Sequence, residues 1–125
     1  MQIERAKADI SIYRGDTPKY NYQLINIDDE TGEEVNVDIT NATISGQVRY
    51  DTDSPEVWFT LPITKTSPEL GIFQWKLTKQ QSEELLPVGS IEPNSAIYDI
   101  QIELNGAVFT FLYGSFTITR DITRI

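Results

Sequence analysis

The sequence predicts an all-β domain, an antiparallel sandwich or barrel with one short helix before its last two strands. Short runs in which apolar and polar residues alternate follow one another along the chain, with turn signals between them. The last two runs, 96–104 and 107–120, meet at Asn105-Gly106, a dipeptide that strongly favours a two-residue type I′ hairpin. The alternation gives way at residues 78–86, where helix-forming residues follow a threonine.

Six apolar sets with a spacing of two residues precede the helix and predict six strands. In chain order they are Ile10 and Ile12; Tyr20, Tyr22 and Leu24; Val35, Val37 and Ile39; Ile44, Gly46, Val48 and Tyr50; Val57, Phe59, Leu61 and Ile63; and Phe73, Trp75 and Leu77. Turns are expected at 15–18, 51–55 and 67–71, and a polar loop at 28–36 with Gly32 in the left-handed conformation. Pro62 has no N–H to donate, so the fifth strand is expected to be an edge there.

Thr78 is the expected N-cap of the helix, which covers residues 79–86 and is anchored by Leu85 and Leu86. Pro87 and Gly89 end it. A helix this short is marginal in isolation, so we expect it to be docked on the sheets.

The two-residue loop also predicts the register of the final hairpin. The expected core-facing pairs are Leu104–Ala107, Ile102–Phe109, Ile100–Phe111 and Tyr98–Tyr113. Beyond this set, Phe116 and Ile118 have the opposite parity. A β-bulge at Gly114-Ser115 would return them to the core face; the alternative is that Leu112 and the even-numbered residues face a second partner.

Size and composition narrow the classes of function. The 125 residues suit one domain, residues 1–125. The formal net charge of −9 disfavours nucleic acid and anionic membranes as partners. Cysteine and histidine are both absent, which excludes disulfides and removes the commonest general base and metal ligand. No signal-peptide core and no bilayer-length apolar run are present, so we expect the bacterial cytoplasm as the site of synthesis and assembly.

Several motifs suggest chemistry, but each is better interpreted as structural. The tripeptide Arg14-Gly15-Asp16 matches an integrin ligand, although a strand-to-strand turn explains it better. The acidic groups at 28–30, 33–34 and 51–53 match no EF-hand spacing, with calcium the lesser alternative to solvated turns. Glu83-Glu84 and Asp99 do not form an evident catalytic carboxylate pair. We therefore predict no catalytic residue, no cofactor and no metal.

Two aromatic residues, Trp58 and Tyr13, have the opposite parity to the apolar sets of their strands. An outward aromatic residue often marks a contact surface. The alternative is that a two-sheet fold buries part of both faces near its edges.

Four pieces of the chain, taken in order, resemble a known family. They are residues 14–17 (RGDT) after a first short strand, a Leu-Thr and short-helix segment ending at 86–89 (LPVG), residues 98–100 (YDI), and residues 112–124 (LYGSFTITRDITR). In this order they are similar to the small immunoglobulin-like β-sandwich modules of tailed bacteriophages and prophages. Examples are the N-terminal domain of baseplate upper proteins and related tail and neck proteins.

The resemblance implies an immunoglobulin-like antiparallel β-sandwich without enzymatic activity, acting as a tail, baseplate or neck component of a virion. Other phage structural proteins would be its partners, with self-association as a further expectation. We predict the strand edge near Pro62 and the last residues as docking elements, and Tyr13 and Trp58 as further candidates. The last residues are Asp121, Ile122, Thr123, Arg124 and Ile125. The alternative function is a ligand- or carbohydrate-binding sandwich with Trp58, Tyr13 or Trp75 as a stacking platform.

Overall fold

The computed structural model describes residues 5–125. Its strands are β1 (Ala6–Lys7), β2 (Ile10–Tyr13), β3 (Lys19–Gln23), β4 (Ile25–Ile27), β5 (Glu34–Asn36), β6 (Thr43–Arg49), β7 (Phe59–Thr60), β8 (Ile63–Ser67), β9 (Ile72–Lys76), β10 (Ser95–Leu104) and β11 (Ala107–Thr119). A 3₁₀ turn covers Pro68–Leu70, and the helix α1 covers Lys79–Leu85. Neither of these described helices has the length and apolar character that a bilayer crossing requires.

The strands form a two-sheet sandwich, as predicted. One sheet has the order β1–β11–β10–β6–β7, with β2 pairing with β11 further along, and the other has the order β3–β9–β8. A separate ribbon joins β4 to β5. The pairings are antiparallel except that β1 and β2 both run parallel to β11. The predicted all-β fold with one short helix is confirmed, and the parallel pairing at the start of the chain was not predicted.

Aromatic side chains from both sheets fill the core between them. Phe73 and Trp75 on β9 are completely buried, as is Phe116 on β11. The Trp75 ring lies 6.2 Å from that of Phe116, and Phe73 meets Phe111 edge-on at 5.9 Å. Edge-on and tilted contacts of this kind are favourable because ring edges and faces carry opposite partial charge.

The final hairpin contains a β-bulge, but not at the predicted position. Leu104 pairs with Ala107 and Ile102 with Phe109, as predicted. The register then shifts, so that Ile100 pairs with Leu112 and Tyr98 with Gly114. The predicted Ile100–Phe111 and Tyr98–Tyr113 pairs and the bulge at Gly114-Ser115 are therefore wrong. Because the extra residue lies at Phe111, that side chain and Leu112 are both buried, and Tyr113 points outward.

Gly114 has a different role, which is to let the backbone at Ala8 pass close to β11. The link between β1 and β2 crosses it, and a Cβ at this position would lie only 2.7 Å from the Ala8 carbonyl carbon. The Ala8 N–H donates to the Tyr113 carbonyl at 2.8 Å. On the other side, the Tyr98 hydroxyl donates to the Ala8 carbonyl, and burial raises the Tyr98 pKa well above its usual value. Only glycine leaves room for this crossing.

The predicted fifth strand is in fact two strands in different sheets. β7 pairs with β6, and β8 pairs with β9. The chain changes sheets at Leu61-Pro62, where the missing N–H of proline costs no ladder hydrogen bond. Both strands lie at sheet edges, which confirms the edge expected from Pro62.

The third predicted strand is also displaced. Val37 and Ile39 are buried, whereas Val35 is exposed. Val35 lies in β5, which is inside the region predicted as a polar loop and pairs with β4, just before that region. Gly32 has the expected positive φ of 70°.

The helix begins where the sequence predicts. Thr78 Oγ1 accepts the Gln81 N–H at 3.1 Å, and Gln81 Oε1 accepts the Thr78 N–H at 2.9 Å. This reciprocal arrangement is a capping box. Leu86, just beyond the helix, is completely buried and docks the helix on the sandwich.

Candidate functional site

The first turn, the helix and the last residues of the chain meet at one end of the sandwich. β2 runs parallel to the end of β11, so that Tyr13 lies beside Thr119. The Arg14 N–H continues this pairing and donates to the Thr119 carbonyl at 2.8 Å. The turn after Arg14 and the segment after Thr119 therefore leave the sheet side by side.

Arg14 holds these pieces together from a buried position. Its side chain is 3% exposed, and its Nε donates to Asp121 Oδ1 at 2.6 Å. Its Nη1 donates to the Leu86 carbonyl at 2.9 Å, which joins the helix end to the pair. The hydrogen bond from Arg14 lowers the pKa of the Asp121 carboxyl. We call Arg14, Asp121 and the Leu86 carbonyl the arginine anchor.

The anchor explains the Arg-Gly-Asp tripeptide, because the arginine that an integrin ligand would present is buried in an ion pair. Ser82, also completely buried, extends the contact. Its hydroxyl accepts the Gly15 N–H at 2.9 Å and lies 2.9 Å from the Asp16 carbonyl, to which it can donate. The turn is thus bonded to the helix, as the structural interpretation of the tripeptide requires.

Beyond the anchor, residues 122–125, here called the tail, are exposed. Ile122 is 92% exposed and Ile125 is 99% exposed. The tail and Tyr13, itself 55% exposed, line the same shallow depression of about 440 Å³. The structure thus brings together Tyr13 and the predicted C-terminal docking residues. Trp58 and Pro62 do not line this depression.

Trp58 is half-buried. Its ring stacks on Tyr50 at 4.9 Å and meets Phe59 and Phe116 edge-on. Its Nε1 donates to the Leu85 carbonyl at 3.1 Å. Of the two alternatives for this residue, the structure matches partial burial near the edges of a two-sheet fold, and a role in an interaction surface stays a prediction.

Trp75 is completely buried under Tyr20, with the two rings stacked at 4.8 Å. Tyr13, Trp58 and Trp75 therefore do not make the exposed stacking platform that a carbohydrate-binding module was expected to use. Pro62 is exposed at the corner between β7 and β8.

An apolar groove of about 870 Å³ was not predicted. It is lined by residues of β3 and β4 on one side and of β1 and β11 on the other. Its apolar lining includes Tyr22, Leu24, Phe111 and Leu112, and at one end it is lined by Asp28, Asp29 and Glu30. We call it the edge groove. One signal was available in the sequence: Ile25 and Ile27 have the opposite parity to Tyr22 and Leu24, and both are exposed.

A second, polar cleft of about 770 Å³ lies on the outer face of the larger sheet. Lys7, Asp9, Arg49, Asp99 and Tyr113 are among its lining residues. Asp9 Oδ1 accepts the Ser115 N–H at 3.0 Å, and this bond lowers the pKa of Asp9. Asp99 lies on this outer face and pairs with Tyr113.

The other acidic candidates have local partners. Glu83 accepts from Lys79 at 2.9 Å and Glu84 from Gln80 at 3.0 Å, along the exposed side of the helix. Asp28 accepts the Glu30 and Thr31 N–H groups, which lowers its pKa within a turn. Across residues 5–125, no three acidic, histidine or cysteine side chains gather in a way that could hold a metal ion.

Comparison with known proteins leaves the chain without an assigned family. No family model matches it, and no curated protein matches it. Among solved structures it is similar to the 1.4 Å crystal structure of an uncharacterized protein from Bacillus anthracis str. Ames, with a TM-score of 0.39 and 14% identity. That similarity covers 93% of this chain and 85% of the other. The functional argument therefore depends on the residues of this chain.

Proposed function

We propose that this chain is a virion structural protein of a tailed phage or prophage, a tail, baseplate or neck component that acts through protein–protein contacts. It would be made and assembled in the bacterial cytoplasm and then reside in the virion. The observation that carries the proposal is the convergence of the resembling sequence pieces on the arginine anchor. Residues 14–17 supply Arg14, the helix segment supplies Leu86, and residues 112–124 supply Asp121.

This convergence favours a structural module over a reactive site. An ion pair with one partner almost fully buried is costly to break and holds its elements in one geometry. Residues with this role fix the relative positions of the elements they join. A rigid structural module of this kind is what the family resemblance implies. The anchor joins the end of β2, the end of the helix and the segment after β11, which are distant in sequence.

The strand edges supply the contact surfaces that such a role needs. β3, β7 and β8 lie at sheet edges, and unpaired edge groups are templates for strand addition. Pro62 lies at the corner between two of these strands. A net charge of −9 favours solubility of the chain until a partner covers an edge.

The carbohydrate-binding alternative is the weaker proposal. It requires two or three coplanar exposed aromatic rings, whereas Trp75 is completely buried and Trp58 is stacked on Tyr50.

Sequencing the DNA that flanks the gene in its source genome tests the proposal. Neighbouring genes for terminase, capsid, tape-measure or baseplate proteins are the expected result. Neighbouring genes for polysaccharide processing or transport would contradict it, and would make glycan binding the next assay.

A further inference from the structure

We propose that the edge groove binds the tail of a second copy of this chain, so that copies associate head to tail. The inference goes beyond the proposed function, since association of the purified chain is measurable whether or not the chain belongs to a virion.

The backbone of the edge groove is prepared for an added strand. β3, residues Lys19–Gln23, is the outer strand of its sheet, and within the described part of the chain no strand pairs with its outer side. The free N–H and C=O groups along such an edge form the hydrogen bonds by which an extended segment binds. The occupant should therefore be extended, and should have side chains that suit the groove.

The lining of the groove defines those side chains. Ile25 and Ile27 offer exposed apolar surface, while Asp28 and Asp29 supply negative charge at one end. No lysine or arginine is among the described lining residues. An occupant with an apolar side chain followed by a positively charged one would therefore match both the apolar surface and the negative end of the groove.

The tail has this pattern. Ile122 is 92% exposed, and Arg124 follows two residues later. In an extended strand, residues two apart lie on the same side, about 7 Å from each other. Ile122 can then cover the apolar lining while Arg124 reaches towards Asp29.

Geometry requires that this tail come from another copy. The arginine anchor holds Asp121 just past the end of β11 at Thr119, whereas the groove lies at Leu112. Those seven residues of strand span about 23 Å. Arg124 lies three residues beyond Asp121 and so at most about 11 Å from it. The contact is thus between different surfaces of two copies, which produces open chains or closed rings.

Sedimentation velocity of the purified full-length chain at increasing concentration tests the proposal. We expect reversible association that Ile122→Asp weakens about tenfold or more, as loss of a central apolar anchor does. Ile91→Asp is the matched control, since Ile91 is 99% exposed, lies outside the groove lining, and gives the same change of charge. A chain that stays monomeric throughout, or two variants that behave alike, would overturn the proposal.

A mixing experiment tests the head-to-tail arrangement. Asp29→Arg damages the groove and leaves the tail intact, whereas Ile122→Asp does the reverse; Asp28 is avoided because it bonds the turn. Each variant alone should associate weakly. Their mixture should form dimers that do not grow, because only one intact tail meets one intact groove. A mixture of the two folded variants that stays monomeric would refute tail-to-groove binding.

Discussion

Replacing Arg14 with methionine should destabilise the fold by breaking the arginine anchor. The buried guanidinium donates to Asp121 and to the Leu86 carbonyl. Methionine has a similar length and keeps the packing of the stem, but removes both bonds. Leu86 is completely buried, so its carbonyl is left without a partner, at a cost of about 1–3 kcal/mol.

Loss of the charge pair adds little to this cost. Because the Asp121 side chain is 14% exposed, water can replace much of the guanidinium there. The total loss should lie at the upper end of the carbonyl range, about 3 kcal/mol. Arg14→Lys keeps the charge but not the planar fork, so a loss of about 1–2 kcal/mol is expected.

Urea unfolding monitored by tryptophan fluorescence measures these losses, since Trp75 is completely buried and reports on the core. The midpoint should fall in the order wild type, Arg14→Lys, Arg14→Met, with an unchanged slope. Arg120→Met is the control, because Arg120 makes one exposed bond, to the Glu92 carbonyl, and should cost less than about 1 kcal/mol. If Arg14→Met unfolds at the same urea concentration as Arg120→Met, the anchor does not stabilise the fold.

Three further changes test the local geometry. Gly114→Ala should cost about 1–3 kcal/mol in urea unfolding, since its Cβ would overlap the Ala8 carbonyl. Thr78→Ala should cost about 1 kcal/mol by the same measure, through loss of the helix cap. Asp121→Asn should destabilise the chain at neutral pH but less at low pH. The Asp121 pKa is lower in the folded chain than its usual 3.8, so its contribution is present above 3.8 and disappears as the pH falls through the folded value.

Each of these changes has a defined control or contrary result. Gly114→Ala is compared with Gly46→Ala, where the nearest atom belongs to the flexible Leu61 side chain and can move more easily. An equal or larger loss at Gly46 would contradict the backbone crossing. Thr78→Ser should retain most of the cap, so equal losses for serine and alanine would exclude it. A stability difference between wild type and Asp121→Asn that grows towards low pH would reverse the predicted sign.

Local patterns predicted the parts of the fold that local chemistry determines. Asn105-Gly106 gave the hairpin loop and its first pairs, and Thr78 with Gln81 gave the helix start. The bulge was misplaced because Phe111 and Leu112 are both apolar, and the sequence does not show that both become buried. Gly114 attracted the prediction, yet it is required by the crossing at Ala8, a contact between residues far apart in the chain.

The candidate site depended even more on distant contacts. The role of Arg14 is defined by Asp121, 107 residues away, so the tripeptide around it could not reveal an ion pair. Strand parity left Trp58 either outward or partly buried, and its half-buried position depends on how the chain changes sheets near Pro62. The tail is exposed, and its role as a docking element stays a prediction. The edge groove was not predicted because it forms between strands that share no sequence motif.

Analysis of purified particles tests the central claim, that this chain is part of a virion. Particles from the source bacterium would be purified on a density gradient and their proteins quantified by mass spectrometry. The proposal predicts that the chain sediments with the particles in a fixed ratio to the major capsid protein. It also predicts that a chain lacking residues 122–125, with Asp121 kept so that the anchor stays intact, incorporates poorly. Recovery of the chain only outside the particles, with complete infectious particles formed when its gene is deleted, would contradict it.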